Sequence, residues 1–148
     1  MSWRAAFHEA GHAVAAAVLQ LPFDVATIAP DSESHGRVTF VDMFSSLPSD
    51  AVLRAHIVAS FAGPIAERRS GHGSPEPGAD AGDLELIGEL ILRVASPDEL
   101  DTLGPRLEQE AETLVADHWR AVSRVAEALI ERKTLSAEEV AVLVLAAE

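Results

Sequence analysis

The sequence predicts a mainly α-helical domain with a small β-sheet, an α+β fold. Three observations lead there. Apolar residues recur at helical spacing over most of the chain. Just two short runs, Val25–Ala29 and Gly36–Val41, read as strands. Glycine and proline gather in a few places between these segments. The 148 residues, 48% of them apolar, suffice for one domain over 1–148 with a real core.

Each element has its own signal. Ser2 is placed to cap a helix reaching about Gln20, where Pro22 stops it. The two strands follow, joined by the polar loop Pro30–His35 as a hairpin or as neighbours. Ser49 and Asp50 open a second helix running to Gly71, with Gly63-Pro64 expected to kink or interrupt it. Gly71–Gly82 is the clearest loop. A third helix spans about Asp83–Val94. Ser96-Pro97 with Glu99 suggests another helix start, broken at Gly104-Pro105, and a long helix covers about Pro105–Lys133. Ser136 and Glu139 form a capping box for the last helix.

Composition excludes several classes of function. Without cysteine there are no disulfides and no thiolate ligands, so any metal is held by nitrogen and oxygen. A net charge of −13 repels phosphate backbones and argues against nucleic-acid binding. The longest apolar run, Ala13–Leu21, is too short to span a bilayer, and the N-terminus makes a poor signal peptide. A soluble, cytoplasmic protein is expected.

The first helix holds the chemistry. "AAFHEAGHAVAAAVLQL" places His8, Glu9 and His12 among residues fit for burial. Side chains four apart share a helix face, so His8 and His12 can aim ring nitrogens at one point. Zinc takes such nitrogens at about 2.0–2.1 Å. Glu9 flanks that face, where a carboxylate reaches water on the metal rather than the metal. This is the H-E-x-x-H pattern of two ligands and a general base. The bare pattern also arises by chance on a helix with two partly exposed histidines. Three features favour the metal. Gly11 lets another element approach, at a cost of about 1 kcal/mol of helix propensity. The surrounding alanines suit a central helix. A buried imidazole pair without a partner is expensive.

A catalytic zinc site keeps three protein ligands and one open position. No third histidine follows the motif closely, so a distant carboxylate is sought. Asp83 heads the apolar stripe Ile87, Leu90, Ile91 and Val94 and shares its core-facing side, but an aspartate there is also an ordinary N-cap. Asp80 competes for either role. Glu67 is a weaker candidate, expected to support the site or lie at the surface. His35, His56, His72 and His118 are lone histidines with structural or solvated roles by default; His72 is a weak candidate to touch substrate.

Five segments together resemble the protease domain of the FtsH-type ATP-dependent zinc metalloproteases. They are "FHEAGHAVAAAVL", "VATIAPDSESHGRVTF", "FAGPIAERRSG", "GADAGDLELIGEL" and "VAEALIERKTLSAEEVAVLV", in family order from about Phe7 to Leu145. The resemblance implies a zinc peptidase in which His8, His12 and Asp83 bind the metal and Glu9 is the base. The sequence departs from the family at three points. The usual paired glycines read Ala62-Gly63 followed by Pro64, the double glutamate reads Glu67-Arg68, and the "TTGA" segment reads Glu76–Ala79. No G-x-x-x-x-G-K-[ST] loop occurs in the 148 residues. Expected substrates are therefore short peptides or unfolded polypeptides. The resemblance leaves room for a homo-oligomer and for a separate ATPase partner. Two other readings stay open: a non-proteolytic zinc- or peptide-binding module on the same fold, and a helical interaction domain with an accidental motif.

Overall fold

The computed structural model describes residues 2–29, 37–40, 49–72 and 81–148. Among these residues the chain is mainly helical with a small antiparallel sheet, as the sequence predicts. The loop 30–35 with His35, most of the glycine-rich loop, and Asp80 lie outside the described residues.

Helix α1 (Trp3–Val18) starts where Ser2 accepts a hydrogen bond from the Ala5 N–H at 3.0 Å. It ends two residues earlier than expected, and Gln20 then turns at φ 61° before Pro22. Ala6, Ala10, Ala13, Val14, Ala15 and Ala16 are wholly buried, which makes α1 the central rod of the core. Strand β1 (Phe23–Thr27) pairs antiparallel with β2 (Arg37–Phe40), as expected for neighbouring strands.

Helix α2 (Asp50–Arg69) is capped by Ser49 and lies against α1. Pro64 does not interrupt it. The proline removes one N–H donor, yet Ala59, Ala62, Ile65 and Ala66 on either side are buried, and that packing holds the helix together. Helix α3 (Ala81–Val94) begins two residues before the expected start, so Asp83 sits inside its first turn rather than at its N-cap.

The expected helix after Ser96 is a single 3-10 turn, Pro97–Glu99, in which the Glu99 carboxylate accepts from the Ser96 N–H at 3.2 Å. Gly104-Pro105 does not break a helix. Both residues lie in the first turn of α4 (Leu103–Asp117), where proline is tolerated. The break falls instead at His118, which separates α4 from α5 (Trp119–Arg132). The buried stripe Leu107, Ala111, Val115 passes to Val122, Val125 and Leu129 without a change of period, so spacing does not mark that break.

A third strand that the sequence reading does not anticipate, β3 (Thr134–Ser136), follows Lys133 at φ 71°. It pairs with β1 on the side opposite β2, giving the order β2-β1-β3, with β2 at one edge among the described residues. Ser136 then starts α6 (Ala137–Ala147) through the expected capping box: its Oγ accepts from the Glu139 N–H at 3.1 Å, and the Glu139 carboxylate accepts from the Ser136 N–H at 3.0 Å. No helix among the described residues is long and apolar enough to cross a membrane.

Candidate metal centre

The site lies where α1, α2 and α3 meet. Gly11 sets the approach of the first two helices. A Cβ built there would sit 2.7 Å from the Ala66 Cβ and closer still to the Ala62 carbonyl oxygen. Only a residue without a side chain lets the backbones come so near. Gly63 clears a second space. A Cβ at that position would lie 2.7 Å from Cδ2 of His12 and nearer to Nε2 and Cε1. The imidazole of His12 therefore rests against the bare backbone of α2.

One turn apart on α1, the rings of His8 and His12 stand 4.8 Å apart between centroids, at 76° to one another. Asp83 reaches both from α3. Its Oδ2 is 2.9 Å from His8 Nε2, and its Oδ1 is 3.4 Å from His12 Nε2. One ligand atom from each of the three residues lies within 4.8 Å of the others. Ligands at about 2.0–2.1 Å around a tetrahedral zinc stand about 3.3 Å apart. The His12 Nε2–Asp83 Oδ1 separation matches that spacing, while His8 Nε2 is hydrogen-bonded to the other oxygen, Oδ2, at a distance a few tenths shorter. The donor set of two imidazoles and a carboxylate is one that zinc accepts.

The far side of each imidazole is anchored. His12 Nδ1–H donates to the Ala59 carbonyl at 2.8 Å, and His8 Nδ1–H donates to the Glu67 carboxylate at 2.8 Å. Such bonds fix ring orientation and tautomer, so that each Nε2 faces the point of convergence. Glu67 is 3% exposed and also accepts from Arg4 Nη1 at 3.3 Å. From sequence, Glu67 is a weaker ligand candidate than Asp83, expected to support the site or lie at the surface. In the structure it backs His8 from behind, and Asp83 faces the imidazoles.

The electrostatics follow from crowding charges in a half-buried pocket. Burial by itself would lower the His8 pKa. The hydrogen bond to Asp83, the negative charges of Glu9 and Asp83, and the Glu67 bond outweigh it and raise the value to about 9. In His12 too, burial is overcome by the Asp83 carboxylate, and the net shift is upward. Burial pushes Asp83 up, but hydrogen bonds from His12 and His8 and their charges hold it well below the usual carboxylate range. Glu9 is buried, and desolvation pushes its carboxyl up against the pull of the two histidines.

No family model and no curated protein matches the chain.

The other candidates of the sequence reading fall elsewhere. His56 is buried on α2, where desolvation lowers its pKa. The His72 ring stacks against Trp3 and Phe7, with centroids 6.0 and 5.9 Å away, and Phe7 stacks in turn on Trp119 at 5.4 Å. His118 occupies the junction of α4 and α5. Arg4 was not singled out from the sequence. Its one available signal was its position four residues before His8, on the same helix face.

Proposed function

We propose that the chain is a zinc-dependent metallopeptidase that hydrolyses short or unfolded polypeptides. The observation that carries this reading is the convergence of His8, His12 and Asp83, with both imidazoles anchored through Nδ1 and both Nε2 atoms directed at the same carboxylate. These three residues would hold the metal. Zinc held there would supply Lewis acidity toward the scissile carbonyl and would make the attacking water more acidic.

The protein's own groups do the rest. Glu9, buried beside the two histidines with its pKa raised, takes a proton from the attacking water and delivers it to the departing amine nitrogen. Among the described residues strand β2 has one neighbour in the sheet order, so its outer edge is suited to receive an extended peptide by backbone pairing. The five-segment resemblance to the FtsH-type protease domain supports the same ligand and base assignments. It also suggests a separate ATPase or further copies of the chain as partners. The cysteine-free composition supports a cytoplasmic setting.

The test is digestion of casein and of a peptide library, with added zinc and with a chelator. Cleavage is expected with zinc only, and Glu9→Gln is expected to abolish it while one zinc stays bound. Cleavage by Glu9→Gln at the wild-type rate would overturn the assigned mechanism. Stoichiometric zinc with no cleavage of any substrate would favour the non-proteolytic binding module instead.

A further inference from the structure

Resting on the zinc reading above, we infer that Arg4 is a positioning residue for the metal site, acting on His8 through Glu67. Arg4 and His8 stand one turn apart on the same face of α1, and both donate to a single oxygen. Arg4 Nη1 lies 3.3 Å from Glu67 Oε1, and His8 Nδ1 lies 2.8 Å from that same atom. Glu67 comes from α2 and is almost wholly buried. A carboxylate taken out of water needs charged or well-aligned donors to stay where it is. The Arg4 side chain is 29% exposed and that of Glu67 4%, so the pair joins a partly solvated guanidinium to a buried carboxylate.

The consequence runs along the chain of contacts. With Arg4 in place, Oε1 is held at one position, and His8 Nδ1–H has one place to point. The ring orientation that follows turns Nε2 toward Asp83, 2.9 Å away. Without Arg4 the carboxylate keeps the His8 donor but loses the group that fixes its rotamer, and the imidazole gains freedom to swing. Partners behind a metal-bound histidine cost about 10–100-fold in metal affinity when removed. Arg4 acts one contact further out, so the lower end of that range is expected.

The experiment measures zinc affinity of the full chain by chelator competition in four forms: wild type, Arg4→Met, Glu67→Met and the double variant. Arg4→Met keeps the apolar stem and removes the donor. It is expected to weaken zinc binding about 10-fold and to broaden the visible absorption of the cobalt-substituted protein, while the metal-free melting temperature changes little. In the Glu67→Met background, where position 67 offers an acceptor to neither Arg4 nor His8, the same substitution is expected to have no further effect, because its route to His8 is already cut. Arg4→Lys is expected to restore part of the affinity, and it carries the test if Arg4→Met fails to fold. Wild-type affinity in Arg4→Met, or an equal loss in both backgrounds, would overturn the inference. A wild-type chain that takes up no zinc would overturn the metal reading itself, an outcome distinct from either.

Discussion

Gly63→Ala adds one carbon at the most crowded point of the site. The new Cβ would lie 2.7 Å from His12 Cδ2 and nearer to two other ring atoms, where ordinary contact begins near 3.4 Å. Ring or helix must give way by about 0.7 Å or more, the gap between those two distances. The ring has little freedom to do so, because His12 is buried and tied through Nδ1 to the Ala59 carbonyl. Metal sites tolerate distance errors of about 0.2 Å, so the displacement spoils the ligand. Zinc affinity is expected to fall at least 10-fold, the lower bound for disturbing a ligand's support. Global stability should suffer less. Overpacking costs about 1–3 kcal/mol, and replacing a mid-helix glycine by alanine recovers about 1 kcal/mol of propensity. At about 2–4 °C per kcal/mol for a chain of this size, the metal-free melting temperature should drop by no more than about 8 °C. Chelator competition and calorimetry on the same preparations separate the two effects. Wild-type zinc affinity in a folded Gly63→Ala protein would refute the claim that His12 is held against α2 as a ligand.

Other substitutions divide site from scaffold. Asp83→Asn is expected to weaken zinc binding by more than the roughly 10–100-fold that supporting partners cost, measured by the same competition; an unchanged affinity would remove Asp83 from the ligand set. Ser136→Ala deletes one side of the capping box on α6 and should lower stability by about 1 kcal/mol in denaturant, with zinc affinity untouched. In metal-free protein the folded state raises the His8 pKa from 6.5 to about 9, so it binds that proton more tightly than the unfolded chain does. This stabilisation is complete below about pH 6.5 and is lost as pH rises through about 9. Chelator-treated protein should therefore melt at progressively lower temperature over that interval, and His8→Gln should flatten the slope. An equal slope in the variant would contradict the contacts assigned to His8.

The residues differ in how much they disclose without coordinates. His8, Glu9 and His12 are legible because helical spacing alone puts two imidazoles on one face. Gly11 is legible as a close approach, and Ala62 and Ala66 turn out to be what approaches it. Asp83 leads the carboxylates on apolar pattern and the family resemblance singles it out, but local chemistry alone does not separate a ligand from an ordinary N-cap there. The anchors behind the imidazoles are harder still. The Ala59 carbonyl is a backbone group that carries no side-chain signature; Glu67 is readable from sequence as a support or surface residue, and docking of α1 and α2 decides which. The fold follows the same division. Caps at Ser2, Ser49 and Ser136 are local chemistry and were found. The break at His118 has neither glycine nor proline, and apolar period runs straight through it. Strand β3 is three residues long and owes its conformation to pairing with β1 rather than to its own propensity.

Diffraction at the zinc absorption edge from zinc-loaded crystals addresses the central claim most directly. One anomalous peak per chain is expected, bonded to His8 Nε2, His12 Nε2 and an Asp83 carboxylate oxygen, with one remaining position open to solvent. Zinc bound elsewhere on the chain, or a peak that excludes Asp83, would contradict the account.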